Sequence, residues 1–140
     1  MKRLLALFLV FVFVLPVCAF ADQDPIIGCW YMFVDVNETS KELIEQGYVF
    51  SLLLFYFAKD GDIYYQEIDF KDSTSEADTL NKLGKWERKG SGYSLSIYGV
   101  GVNDSFIDND QMYVCFLVEK TYHLLRKMSF FNLYNEIKVK

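Results

Sequence analysis

The stretch that decides the fold runs from Tyr48 to Phe70 and reads YVFSLLLFYFAKDGDIYYQEIDF. Two runs rich in aromatic and aliphatic residues lie on either side of Asp60-Gly61. Runs of this kind are typical of β-strands, and Asp-Gly between two of them is a strong signal for a tight hairpin. The stretch therefore predicts two antiparallel strands joined by a turn.

Similar runs before and after this hairpin predict the rest of an all-β domain. The clearest alternation is in the fifth run, where Tyr93, Leu95 and Ile97 would share one face of a strand. A short helix is predicted over Glu38–Gln46, because Gly47 is a natural helix end. The eight predicted strands are Ile27–Val34, Tyr48–Ala58, Ile63–Phe70, Leu83–Arg88, Tyr93–Tyr98, Val102–Ile107, Met112–Val118 and Thr121–Met128.

The connections between these strands predict how they pair. Strands joined by short turns pair with their sequence neighbours, and closing such a meander removes its unpaired edges. We therefore predict an all-β, eight-stranded, antiparallel up-and-down barrel with one short helix between strands 1 and 2; a two-layer sandwich is the alternative. The second strand is apolar on both faces, which predicts that the helix or the C-terminal tail covers its outer side. The polar residues 71–81 predict a long loop.

The N-terminus has the three parts of a secretory signal. Lys2-Arg3 precedes an apolar run over residues 4–17, and Ala19-Phe20-Ala21 is a small-x-small cleavage site. We therefore expect a signal peptide over residues 1–21, a mature domain over residues 22–140, and a secreted or periplasmic location. The alternative is a lipoprotein anchored through Cys18, which is the only route to a membrane that the sequence suggests.

The charge of the chain limits its possible partners. The 140 residues include 14 basic and 19 acidic side chains, and the net charge is −5. The leader holds two of the basic residues and no acidic one, so residues 22–140 would carry 12 basic and 19 acidic side chains and a charge of −7. A domain with this charge is a poor candidate for binding nucleic acid.

Short motifs in several strands resemble those of lipocalin-like barrels. The first predicted strand opens with Gly28-x-Trp30, and the last contains Arg126. A second such motif, Gly84-x-Trp86, follows the Asp-Gly hairpin, as in small bacterial secreted lipocalin-like (calycin-type) proteins. The resemblance implies a structural plug at one end of the barrel, made by Gly28 and Trp30, with the Arg126 guanidinium packed across the indole ring.

The barrel prediction also bears on the cysteines. Cys29 lies on the first predicted strand and Cys115 on the seventh, with the eighth strand between them. Next-nearest strands lie about 9–10 Å apart, whereas a disulfide needs Cα atoms within about 7 Å of each other. We therefore expect two separate thiols, although export would permit a bond.

Few residues suggest chemistry. His123 is the only histidine, which excludes a multi-histidine metal site, and we expect it on the solvent side of the last strand, alternate to Leu124. Asp104, Asp108 and Asp110 do not have the spacing of a calcium loop and indicate a solvated turn. Because no pair of residues suggests acid–base or nucleophilic work, we expect neither an enzyme nor a cofactor.

The inward-facing apolar residues leave two functions open. They would either line a ligand cavity or fill the barrel, and the frequent filling of small barrels slightly favours a packed interior. The leading prediction is an exported, non-enzymatic barrel that binds a small apolar or amphipathic ligand. The alternative is a secreted protein-interaction or inhibitor module with a filled barrel, which would use the loop 71–81 and the tyrosines Tyr64, Tyr65 and Tyr98 on its exterior. The candidate ligand-lining residues are Trp30, Trp86, Leu95, Ile97, Val114 and Phe116.

Overall fold

The computed structural model describes residues 24–35, 41–71, 74–116 and 121–129. Within these ranges the chain forms nine strands and one short helix. The elements are β1 (Gly28–Asp35), α1 (Lys41–Glu45), β2 (Tyr48–Phe57), β3 (Asp62–Lys71), β4 (Ser75–Ala77), β5 (Asn81–Lys89), β6 (Gly92–Ile97), β7 (Gly101–Asp108), β8 (Gln111–Phe116) and β9 (Thr121–Lys127).

Eight of these strands close into a barrel. Each pairs antiparallel with its neighbours in the order β1-β2-β3-β5-β6-β7-β8-β9, and β9 returns to pair with β1. The predicted up-and-down antiparallel barrel is therefore confirmed, and the sandwich alternative is wrong. The three residues of β4 pair with the C-terminal part of β3, on the same edge whose N-terminal part pairs with β5. The predicted loop 71–81 therefore contains a short strand.

Two hairpin turns show how local sequence sets the strand connections. Gly61 has a φ of 88°, a conformation that favours glycine, and the Ala58 amide closes the turn by donating to the Asp62 carbonyl at 2.8 Å. Asn109 and Asp110 also have positive φ values, 48° and 61°, as the two central residues of a type I′ turn require. The two turns follow β2 and β7, which run in the same direction in the barrel. Both turns therefore lie at the same end.

The side chains that point into the barrel form one hydrophobic cluster. Alternate residues of each strand contribute to it, among them Trp30 of β1, Phe57 of β2, Leu95 of β6 and Leu125 of β9. Alternation of side chains across a strand places the residues between them on the outside. The described chain has two hydrophobic clusters, and the one inside the barrel is the larger.

A second cluster lies on the outer face of β1, β2 and β3. It includes Tyr31, Leu52, Leu54 and Phe70, all of which are buried. Residues on both faces of β2 are thus buried, and α1, one of the two predicted covers of its outer side, contacts β2. The C-terminal tail, which was the other predicted cover, lies outside the described residues from position 130 onward.

Candidate functional site

One end of the barrel is closed by Trp30. Its side chain has no solvent exposure, and its indole Nε1 donates to the Ile26 carbonyl at 2.8 Å. Lys127 lies over the ring, with its Nζ 5.4 Å from the ring centroid, and the same Nζ donates to the Pro25 carbonyl at 2.9 Å. Gly28 opens β1 with a φ of 124°, a backbone conformation that other residues rarely adopt.

The cation over Trp30 is therefore Lys127, and the expectation that Arg126 fills this role is wrong. In the register of β1 and β9, Trp30 is opposite Lys127, and Tyr31 is opposite Arg126. Directly opposite residues of an antiparallel pair have side chains on the same face, and the next pair has them on the other. Arg126 consequently lies on the outer face, where it is exposed.

A second set of polar contacts ties the N-terminal segment to this closed end. Tyr93 Oη donates to Asp24 Oδ1 at 2.5 Å, and Arg88 Nη1 lies 3.2 Å from Asp24 Oδ2. Burial is the main cause that raises the pKa of Tyr93 to about 12, and the hydrogen bond to Asp24 adds to it. Trp86 packs edge-on against Tyr93, and its indole Nε1 donates to the Ala58 carbonyl at 2.8 Å. Both tryptophans thus belong to the packed end.

The rest of the interior contains a cavity of about 360 Å³. Leu95, Ile97 and Val114, three of the predicted lining residues, line this cavity. The cavity also reaches Val100, in the turn between β6 and β7, which lies at the end of the barrel opposite to Trp30. The expectation of a packed interior is therefore wrong for this half of the barrel. The side chain of Phe116, the last residue of β8, lies outside the described part of the chain.

His123 also lines the cavity, so its predicted position on the solvent side is wrong. In the register of β8 and β9 it is opposite Val114, and the buried Leu125 is opposite Met112. Leu124, between them, faces outward. His123 Nε2 lies 3.5 Å from Oγ1 of Thr121, a hydroxyl two residues earlier on the same strand. The cavity therefore has one ionisable group among its described lining residues.

Two carboxylates lie on the inward face of β3. Glu67 is opposite Leu53, which lines the cavity, and Asp69 is opposite Ser51. Tyr65 Oη donates to Glu67 Oε2 at 2.9 Å. Burial, followed by the hydrogen bond to Glu67, raises the pKa of Tyr65.

These inward-facing groups were missed by reasoning from the sequence, which placed Tyr65 on the exterior. Tyr65 is opposite Phe55, another cavity-lining residue, and the two ring centroids are 5.3 Å apart. The signal that could have found them is the period of two along β3. Counting in twos from the buried Ile63 gives Tyr65, Glu67 and Asp69.

The outer face of β7, β8 and β9 carries an exposed aromatic patch. Phe106 is stacked on Tyr113 with ring centroids 4.8 Å apart, and it meets Tyr122 edge-on at 6.2 Å. Phe106 is 45% exposed and Tyr122 is 65% exposed, which is high for large apolar side chains. We call Phe106, Tyr113, Tyr122 and Leu124 the outer aromatic patch.

The cysteines follow the barrel geometry in one respect. Cys115 is a free thiol, so no bond joins it to Cys29. Cys29 itself is disulfide-bonded, which makes the expectation of a second free thiol wrong for the full-length chain.

Within the described ranges, no three His, Cys, Asp or Glu side chains come together as a metal site. Asp104 lies on β7 and is ion-paired with Lys89 at 3.0 Å, whereas Asp110 lies in the β7–β8 turn. Among the helices of the described chain, none is long and apolar enough to cross a membrane.

Comparison with known proteins adds no relative: no protein-family model, no curated protein and no solved structure matches this chain. What can be said about its function therefore comes from the barrel, its cavity and its surface. The architecture is that of a closed antiparallel eight-stranded barrel, consistent with a calycin-like fold.

Proposed function

We propose that this protein is an exported, non-enzymatic barrel that binds a small apolar or amphipathic ligand in its interior. The observation that carries the proposal is the cavity of about 360 Å³. Ligand-binding pockets in proteins start at about 300 Å³ and are lined mainly by apolar side chains with a few polar groups. This cavity has aliphatic and aromatic walls with His123 among them, which fits that description.

The size of the cavity limits the ligand. A water molecule occupies about 30 Å³ of liquid, so the cavity has room for about a dozen groups of that size. That space suits a single ring system or a short aliphatic chain. Burial of such a body would drive binding through the hydrophobic effect, and the polar groups would orient it.

The resemblance to small bacterial secreted lipocalin-like proteins supports this function. Its Gly-x-Trp motif places Trp30 at the closed end, and the strand order is that of an up-and-down barrel. Lipocalin-like barrels hold one small ligand in such an interior. Membership of that family and a bacterial origin are part of the proposal.

Export is proposed from the leader sequence. Cleavage after Ala21 would release residues 22–140 into the periplasm or the medium, and lipidation of Cys18 is the alternative. The intact mass of the protein from its own host distinguishes these forms. A mass equal to residues 22–140 supports export by cleavage, a chain that begins at an acylated Cys18 supports the lipoprotein, and the full-length mass contradicts both.

Displacement of a fluorescent probe tests the binding function. 1-Naphthylamine, a dye that is neutral at pH 7 and has a single fused ring system, should bind the wild-type protein at one site per chain. Val114→Phe places a larger side chain in the wall of the cavity and should weaken binding at least tenfold. Val102→Phe makes the same change at a position that is 54% exposed on the outer face of β7, and serves as the control.

The outcome distinguishes dye binding inside the barrel from non-specific dye binding to the protein surface. Equal loss of dye binding in the two variants, or no loss in either, would show that the dye does not enter the barrel. Native mass spectrometry of the protein from its host then searches for the natural ligand, as an added mass that disappears on denaturation.

A second candidate function is a protein-interaction module, and the outer aromatic patch favours it. Exposed apolar patches often mark surfaces that bind a partner. The prediction that joined this function to a filled barrel no longer holds, because the barrel contains a cavity. A Phe106→Ser, Tyr122→Ser double variant should lose a partner recovered from the host's exported fraction but keep dye binding. Partner recovery unchanged by this variant would exclude the patch as the interface.

A further inference from the structure

The polar groups around the cavity have an uneven distribution of charge. On the inward face of β3, Glu67 lies opposite the cavity-lining Leu53, and Asp69 follows it on the same face. Glu76 of β4 is opposite Asp69 and shares that face. The carboxylates therefore lie together on the side of the barrel formed by β2, β3 and β4.

The hydroxyl groups beside these carboxylates donate to them. Tyr65 Oη donates to Glu67 Oε2 at 2.9 Å, and the Ser51 hydroxyl donates to Asp69. The raised pKa of Tyr65 keeps its hydroxyl protonated and in the donating role. A carboxylate has two oxygens and accepts several hydrogen bonds, so each can take a further donor from a ligand.

Two of the cations on the inward face lie at the closed end, and a third is already paired with one of these carboxylates. Lys127 and Arg88 lie at the closed end, where they contact the Pro25 carbonyl and Asp24. Lys71, at the end of β3, is ion-paired with Glu76 at 3.1 Å. Among the described residues that line the cavity there is no Lys or Arg, and His123 is the only one that can carry a positive charge.

We propose that the cavity selects ligands whose polar end is an amine or another hydrogen-bond donor, and discriminates against ligands that end in a carboxylate. This proposal rests on the ligand-binding function proposed above. A cationic head near Glu67 and Asp69 gains attraction from both charges while its apolar body occupies the cavity. A carboxylate head at the same place meets like charges and finds hydroxyl donors that are already engaged.

The test compares three probes with the same ten-carbon chain and different heads: decylamine, decanol and decanoate. Each competes with 1-naphthylamine for the purified full-length protein, below its critical micelle concentration. We expect decylamine to bind at least tenfold more tightly than decanoate, with decanol between them. Equal affinities, or decanoate binding most tightly, would overturn the selectivity.

Variants assign the effect to the named groups. Glu67→Gln retains an acceptor for the Tyr65 hydroxyl but removes the charge, and should reduce the preference for decylamine over decanoate at least threefold. Asp104→Asn removes an exposed carboxylate from the outer face of β7, and should leave the preference unchanged. An equal change in the two variants would mean that the net charge of the protein, and not the site, sets the preference.

His123→Gln is the second comparison, because an imidazolium in the wall would favour a carboxylate. The preference for decylamine should persist or increase in this variant. Loss of the preference would overturn the assignment to Glu67 and Asp69. If neither the dye nor any of the three probes binds, the proposed function itself fails; if all bind without discrimination, the cavity stands and the head-group selectivity fails.

Discussion

Replacing Lys127 with Met should lower the free energy of unfolding by about 1–2 kcal/mol, and by more than Arg126→Met does. The two residues are adjacent, both are long cations, and Met retains most of the aliphatic stem of each. They differ in the face of β9 that they occupy. Lys127 lies over the ring of Trp30, and Arg126 is opposite Tyr31 on the outer face.

The magnitude follows from the two contacts of the Lys127 ammonium. Its Nζ is 5.4 Å from the centroid of the Trp30 ring, a cation–π geometry that contributes about 0.5–1 kcal/mol at a partly exposed site. The same Nζ donates to the Pro25 carbonyl at 2.9 Å, and a hydrogen bond of this kind contributes about 0.5–1.5 kcal/mol. Solvent reaches this position, so the lower parts of both ranges apply.

The assay is urea unfolding followed by tryptophan fluorescence, with the unfolding midpoint and the m value measured for each variant. For a domain of this size, a loss of 1 kcal/mol lowers Tm by about 4 °C. A double-mutant cycle with Trp30→Phe isolates the contact with the ring, since Trp is the strongest cation–π partner. Trp86 remains as the fluorescent reporter in that background.

Three results would refute the reasoning. Arg126→Met could cost more than Lys127→Met, which would restore the arrangement that the lipocalin resemblance implied. The two variants could cost the same, which would make net charge and not position the cause. Strict additivity of Lys127→Met and Trp30→Phe would show that the ammonium and the indole ring do not interact.

Three other predictions concern the backbone, the alkaline stability and the thiols. Gly84→Ala should lower the free energy of unfolding by about 1–3 kcal/mol in urea titration, because a Cβ there would lie 2.0 Å from the Ser96 carbonyl oxygen. The folded pKa of Tyr93 is raised from 10.0 to about 12, so its contribution to stability is complete below pH 10.0 and is lost as the pH rises toward about 12. Tyr93→Phe should flatten this part of the curve of unfolding free energy against pH; a curve that keeps the wild-type slope would contradict it. In denatured, unreduced protein, thiol titration should find two thiols in residues 22–140, which keep only Cys29 and Cys115, and one thiol in the full-length chain, where Cys29 is disulfide-bonded.

The strand order was predictable from the sequence because its signals are local. Each hairpin combines a run of β-favouring residues with turn residues that have a defined conformation, as at Asp60-Gly61. Antiparallel pairing of sequence neighbours then leaves few arrangements, and closure is the one that removes both edges. The short strand β4 was missed because Ser75–Ala77 has neither the length nor the composition of a strand and forms only against β3.

The wrong positions predicted for His123 and Arg126 on β9 have a single cause. The sequence reads Tyr122-His123-Leu124-Leu125-Arg126, and its two adjacent leucines fit either phase of a strand. Choosing Leu124 as the inward residue places Arg126 inside and His123 outside. A shift of one residue moves every side chain of a strand to the other face.

Only the pairing of β9 with β8 and β1 fixes its phase. His123 is opposite Val114, and Lys127 is opposite Trp30. Pairing with these residues, which are distant in the sequence, places both side chains on the inward face. The candidate site therefore depended on long-range register, which the pattern of a single strand does not contain. A cavity with His123 in its wall and a plug held by Lys127 follow from the same register.

From the sequence, a filled barrel and a hollow barrel were alternatives. In the structure the barrel is filled at the Trp30 end and contains a cavity in the other half, because the inward side chains become smaller along the strands. On β1 the inward residues become smaller from the closed end, in the order Trp30, Met32 and Val34. β6 follows the same trend with Tyr93 at the closed end and Ile97 at the other.

This taper connects the stability of the barrel to its proposed function. The large rings, and the hydrogen bonds of Trp30 and Trp86 to backbone carbonyls, hold the strands together at the closed end. Smaller side chains at the other end can therefore line a cavity. A substitution that enlarges Val114 should consequently remove ligand binding at little cost in stability, whereas one that truncates Trp30 should unfold the domain before it alters the cavity.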